Sequence, residues 1–163
     1  MHAHEKVIRD FYGAFAKKDA DTMAQCYHPD IAFTDPAFPM LQGAEASAMW
    51  AMLTSRAKDN FEIILIEASA DADGGRAKWE AKYTFSQTGN LVHNKIDAAF
   101  AFRDGKIVRH VDRFSFWRWS AQALGPMGKL LGWSWPLKAM VRKKAKASLS
   151  GFIDKGHYPK PWI

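Results

Sequence analysis

Apolar side chains recur at helical spacing near the start of the chain: Val7, Ile8, Phe11, Tyr12 and Phe15 repeat every three or four residues and predict an amphipathic helix. The Lys17-Lys18-Asp19 break leads to a second short helix carrying Met23, Cys26 and Tyr27, capped by Asp19 or Asp21 and ended by Pro29. A short segment from Ile31 to Asp35 and a proline-rich loop to Gly43 precede a third helix, with Ala46, Met49, Trp50 and Leu53 on one face. From Phe61 the period falls to two. Residues 61 to 68 are nearly continuously apolar, and residues 76 to 86 alternate, with Ala77, Trp79, Ala81, Tyr83 and Phe85 on one face and Arg76, Lys78, Glu80 and Lys82 on the other. Asp73-Gly74-Gly75 and Thr88-Gly89-Asn90 are turn signals, so these strands form an antiparallel meander with one buried face.

The last hairpin decides which side chains enter the core, because a slip of one residue exchanges the two faces. A two-residue turn at Asp104-Gly105 would set Phe100 and Phe102 on the same face as Ile107 and Arg109. A three-residue loop, with Gly105 left-handed, instead aligns Asn94, Ile96, Ala98, Phe100 and Phe102 with Val108, His110, Asp112, Phe114 and Phe116. The second register is expected, since it leaves Lys95, Asp97, Arg109 and Arg113 to pair in solvent. It sets Asp112 opposite Ile96 and His110 opposite Ala98, both pointing inward.

Composition changes this picture in two respects. At 163 residues, 48% hydrophobic and 25% charged, the chain has enough apolar material for a real core. Its net charge of +6 would suggest nucleic acid, but residues 1 to 117 hold 14 Lys/Arg against 16 Asp/Glu, while residues 118 to 163 hold 9 against 1. The basic character belongs to the tail, so nucleic-acid binding by the folded part is not expected. The lone Cys26 permits no intramolecular disulfide and reads as a buried hydrophobe, and His2, His4 and His28 lack a ligand pattern, so no metal is expected. No apolar run is long enough for a membrane span, and charges between His2 and Asp10 stand where a signal peptide would be apolar, so the expected location is the cytoplasm.

Three helices, a bent antiparallel sheet and Asp-Pro after the first short strand resemble the nuclear transport factor 2-like superfamily, which includes ketosteroid isomerases, SnoaL-type polyketide cyclases and limonene epoxide hydrolases. The resemblance covers residues 5 to 117 and rests on Tyr27-His-Pro-Asp-Ile-Ala-Phe-Thr-Asp-Pro36, Gln42-Gly43 and Gly105-Lys-Ile-Val-Arg-His-Val-Asp112. It implies an α+β fold in which N-terminal helices pack on a strongly curved antiparallel sheet and leave a conical pocket. It also implies Asp35 at the isomerase base position and Asp112 as the acid/base of the cyclases and hydrolases. The isomerase oxyanion donors are not reproduced: Phe11 stands at the tyrosine position and Ala98 at that of the protonated aspartate, and steroid isomerisation is disfavoured. The arginine and second aspartate of the hydrolases also lack a match, since Glu80-Ala-Lys82 stands near that place.

The residues make their own case for chemistry. A carboxylate at Asp112 among Trp79, Tyr83, Phe100, Phe114 and Phe116 would lose part of its hydration, and His110 lies about 7 Å along the same face. Such a pair suits cofactor-independent proton abstraction next to a carbonyl in a hydrophobic molecule, with Asp35 as a second proton-handling group. Asn94, Tyr83, Tyr27 and Trp50 would line the rest of the site, with Trp79, Phe100, Phe114 and Phe11. Two blander readings stand beside it: a His-Asp pair that only satisfies itself, and a pocket that holds an apolar ligand without catalysis. The outer sheet face and family habit suggest a homodimer.

Residues 118 to 163 form a separate C-terminal extension in this reading. After Trp133 and Trp135, the residues Leu137, Met140, Val141, Ala145, Ser148, Leu149, Phe152 and Ile153 mark one helical stripe, and Lys138, Arg142, Lys143 and Lys146 the other. This basic amphipathic helix either folds back on the domain or a second subunit, or makes weak contact with an anionic membrane surface.

Overall fold

The computed structural model describes residues 1–161. Three helices, α1 (Ala3–Ala16), α2 (Ala20–Gln25) and α3 (Ala44–Ser55), are interleaved with strands β1 (Tyr27–Thr34) and β2 (Leu41–Gln42). The meander β3 (Glu62–Ala70), β4 (Gly75–Thr84), β5 (Leu91–Arg103) and β6 (Lys106–Arg113) follows. The six strands form one curled, unclosed sheet in the order β2-β1-β6-β5-β4-β3, antiparallel except where β1 runs parallel to β6. This is the expected α+β architecture. The β1–β6 pairing brings the first strand to the far side of the last one and sets Phe33 beside His110.

α1 forms where its periodicity predicts and buries Ile8, Phe11, Tyr12 and Phe15 against the concave sheet face. Asp19 caps α2 by accepting from the Thr22 amide at 3.0 Å. α2 ends at Gln25, however, so Pro29 does not stop it; Tyr27 and Pro29 belong to β1, where the Tyr27 backbone pairs with Ile107. α3 buries Ala46, Met49 and Trp50 as expected, whereas Leu53 is largely exposed. β4 keeps its alternation up to Tyr83, and Phe85 lies beyond its end.

The last hairpin differs from expectation in its turn and in burying Ile107 instead of Val108, but His110 and Asp112 still point inward. Arg103 pairs with Lys106 across a two-residue Asp104-Gly105 turn whose φ values, 53° and 73°, are those of the primed turns that match strand twist. The three-residue loop does not form. Instead β6 bulges at Val108: Ala101 pairs with Arg109 and Phe102 with Ile107, so one residue on β6 is left over. The bulge lets both Ile107 and His110 face inward and restores the parity that the short turn would have broken. His110 consequently sits opposite Phe100, and Asp112 opposite Ala98, each displaced two residues from the expected partner. A second bulge, at Ile66 on β3, adds to the curl.

Beyond the sheet the chain is helical: α4 (Phe116–Leu124), α5 (Pro126–Leu131) and α6 (Trp135–Asp154). Only α6 is evident from periodicity. α4 packs Phe116, Trp119 and Ala123 on Val92, and Val141 of α6 joins this smaller cluster. Further along α6, Leu149 enters the main core, and Ala145, Phe152 and Ile153 pack against it. The tail's apolar stripe therefore folds back on the domain, where α6 packs against α3.

Candidate functional site

β6 presents His110 and Asp112 from alternate positions on its inward face, and the helices close over them. His110 has no exposed surface and Asp112 keeps 4%. Around His110 stand Phe11, Phe33, Trp50 and Phe100, with ring centroids 4.5–5.9 Å from the imidazole. In so apolar a setting every ring nitrogen needs a partner, and each has one. Tyr27 Oη lies 2.8 Å from His110 Nδ1, and His110 Nε2 lies 2.9 Å from Asp112 Oδ1.

Donor and acceptor roles along these bonds depend on the His110 tautomer. Trp50 Nε1–H, which can only donate, reaches Tyr27 Oη at 2.7 Å. Tyr27 accepts from Trp50 and retains its own proton for a bond to His110 Nδ1. In the tautomer with its proton on Nε2, the imidazole accepts from Tyr27 at Nδ1 and donates to Asp112 Oδ1. Trp79 Nε1–H adds a longer contact of 3.5 Å to the same oxygen. The chain Trp50, Tyr27, His110 therefore ends on Asp112, whose other oxygen, Oδ2, accepts no hydrogen bond among the described residues.

Two tyrosines sense this carboxylate. Burial pushes the Tyr12 hydroxyl well above its ordinary range, and the nearby Asp112 charge pushes it further. Tyr12 Oη is buried without a hydrogen-bond partner. A phenol that stays protonated and unsatisfied is an available donor. Tyr27 is likewise raised, by burial first, with the Trp50 hydrogen bond opposing.

Asp35 occupies the loop after β1. Its Oδ1 accepts from the amides of Ala37 and Phe38 at 2.8 and 2.6 Å, a local turn that fixes the side chain. Burial still dominates and, with the Asp112 charge nearby, raises the carboxyl to about 7, against the backbone hydrogen bonds and Arg142. Arg142, on α6, donates through Nε to the carbonyl of Pro36 at 2.9 Å and ties the tail to this loop. Tyr83 lies near enough to Asp35 to feel its charge; burial raises its hydroxyl to about 12 while Trp119 Nε1 donates to it at 2.8 Å.

The expected site residues thus divide into groups. Asp112, His110, Tyr27, Trp50, Trp79, Phe100 and Phe11 meet in one buried cluster. Asp35 and Tyr83 stand together nearer the tail. Phe114 packs against both apolar clusters, and Asn94 is buried on β5 opposite Ala81. Tyr12 and Arg142 were not anticipated. A polar-tipped ring on the otherwise apolar stripe of α1 is the signal that marks Tyr12; Arg142 is one of several cations on α6, and only the docking of that helix singles it out.

Comparison with known proteins agrees with this fold. The family model for the SnoaL-like domain matches residues 8–110. No curated protein matches the chain at a significant level. Among solved structures, a protein with a ketosteroid isomerase-like fold from Catenulispora acidiphila DSM 44928, in complex with trimethylamine, superposes with a TM-score of 0.63 at 15% identity, covering 74% of this chain and 94% of its own. An LEH-like epoxide hydrolase of M. tuberculosis gives 0.63 at 17% identity, over 81% of this chain and 97% of its own. A putative polyketide cyclase of Xanthomonas campestris pv. campestris gives 0.58 at 22% identity, over 74% and 96%. At these identities the likeness is one of fold.

Proposed function

The chain belongs to the SnoaL-like domain family, and from that premise we propose that it catalyses cofactor-independent acid/base chemistry on a hydrophobic carbonyl compound. The observation that carries the reading is the buried hydrogen-bond chain that ends on Asp112 and leaves Oδ2 unengaged. In this scheme Oδ2 removes a proton from the carbon next to the carbonyl, and the electron pair moves onto the carbonyl oxygen. The Tyr12 hydroxyl, buried and without a partner, supplies a hydrogen bond to that oxygen. The proton then returns from Asp112 to another atom of the product. His110 donates through Nε2 to Oδ1 in this scheme, which makes it a positioning residue. Asp35, raised to about 7, exchanges a second proton near neutral pH.

A non-catalytic reading draws support from the complete burial of His110 and the self-satisfied bonds around it; there the same residues hold an apolar ligand or only the fold. Deuterium exchange decides between them. The protein is incubated in D2O with simple hydrophobic ketones such as 2-tetralone and 2-indanone, and label at the α-carbon is followed by NMR. The expected result is exchange faster than in buffer, reduced about 100-fold or more in Asp112→Asn. Unaccelerated exchange of ketones that nevertheless raise the melting temperature, or full exchange by Asp112→Asn, overturns the proposal.

A further inference from the structure

Folding of the α6 stripe onto the core leaves a different apolar surface exposed, at the corner where α5 meets the start of α6. Leu130, Trp133 and Trp135 are 71%, 77% and 78% exposed, and Met127 and Leu131 are close to half exposed. Five large apolar side chains within nine residues are far more than the scattered exposed hydrophobes of an ordinary surface. The corner is also firmly built. An added Cβ at Gly128 would lie 1.8 Å from the Ser120 carbonyl oxygen, and one at Gly132 would lie 2.1 Å from the Ser120 hydroxyl, so α5 sits directly on α4. Trp133 bonds its own indole N–H to the Leu130 carbonyl at 2.7 Å, and its ring can leave water without stranding a donor.

Along the chain, the segment that carries this corner holds charge of one sign. No acidic residue occurs between Asp112 and Asp154, a stretch that contains Arg118, Lys129, Lys138, Arg142, Lys143, Lys144 and Lys146. The remainder of the chain is slightly acidic, so the bias is local. Exposed tryptophans and leucines in a cation-rich segment match the interface of an anionic bilayer, where indoles sit at headgroup level and the cations meet lipid phosphates. No described helix is long and apolar enough to cross a membrane, so the contact is peripheral. We propose that the α5–α6 corner docks this protein on anionic lipid bilayers through Leu130, Leu131, Trp133 and Trp135, with Lys129 contributing charge. This inference is independent of the chemistry proposed for Asp112.

Flotation of the full chain with phosphatidylcholine vesicles, with and without phosphatidylglycerol, tests it. Binding is expected only with the anionic lipid and is expected to fall in high salt. The exposed positions allow Trp133→Ser/Trp135→Ser to be made in one chain, with circular dichroism and melting temperature checking the fold; lipid partitioning should drop about tenfold or more. Lys129→Gln should weaken it roughly fivefold. Absence of binding to anionic vesicles, or equal binding by the folded double variant, overturns the proposal. So does a concentration-dependent dimer, seen by light scattering, that the same variant dissociates, because a second copy would then be the occupant.

Discussion

Replacing Asp35 by Asn should stabilise the protein at neutral and alkaline pH and leave it unchanged in acid. The native carboxyl is raised from the ordinary aspartate value of 3.8 to about 7, chiefly by burial. A raised value means that the folded state binds the proton more tightly than the unfolded chain does. The stabilisation is therefore complete below about pH 4, is lost progressively as pH rises toward 7, and changes no further above that. A gap of about three pH units corresponds to about 4 kcal/mol at most, and the residual solvent access of Asp35 brings the expectation to roughly 2–4 kcal/mol. Asparagine keeps an Oδ1 to accept from the Ala37 and Phe38 amides, so the turn survives while the ionisable group is gone. Urea unfolding of both proteins at a series of pH values between 4 and 9 measures the difference directly. The curves should converge near pH 4 and separate through pH 7, with the variant the more stable. Parallel curves, or a variant less stable at pH 8, would refute the view that Asp35 is held against its charge.

Three further outcomes follow from the packing. Tyr27→Phe keeps the ring but leaves Trp50 Nε1 and His110 Nδ1 without partners, and should cost about 2–4 kcal/mol by chemical denaturation; a loss under 0.5 kcal/mol would mean that the directed chain is misassigned. Gly128→Ala should lower the melting temperature sharply because its Cβ meets backbone, whereas Gly151→Ala on α6, with nothing within 4 Å, should raise stability by about 0.5–1 kcal/mol. Cys26 is buried, with its thiol raised to about 11, and should resist a disulfide reagent at pH 8 until urea is added; rapid labelling of the native protein would contradict that burial.

Much of this molecule is legible from local pattern, because the pattern is what burial acts on. The spacing in α1 and the alternation in β4 name the core-facing side chains, and the same logic sends His110 and Asp112 inward. That the inference about β6 held while its loop did not is instructive. The alternation of apolar and charged side chains constrains which face is buried, and a bulge at Val108 meets that demand as well as a longer turn would. The expected three-residue loop and its register were wrong, because the facial pattern does not fix how the loop reaches it.

The amino-acid sequence by itself determined which side chains must leave water: the aromatic stripes, the inward Asp-His pair and the strong charge asymmetry of the tail. It did so because each of these is a property of neighbours along the chain. Tertiary structure alone decided what those side chains then meet. Tyr27, Trp50, His110 and Asp112 come from three elements, and their hydrogen bonds exist only once β1 lies parallel to β6 under α3. The same holds for Asp35, whose proton affinity depends on burial and on the charges of Asp112 and Arg142, residues distant in sequence. In the tail, periodicity could mark an apolar stripe but not its partner. Docking of α6 on the core used that stripe and left the two tryptophans outside, because the free energy of burial depends on the surface that is covered, and that surface is assembled only by the fold.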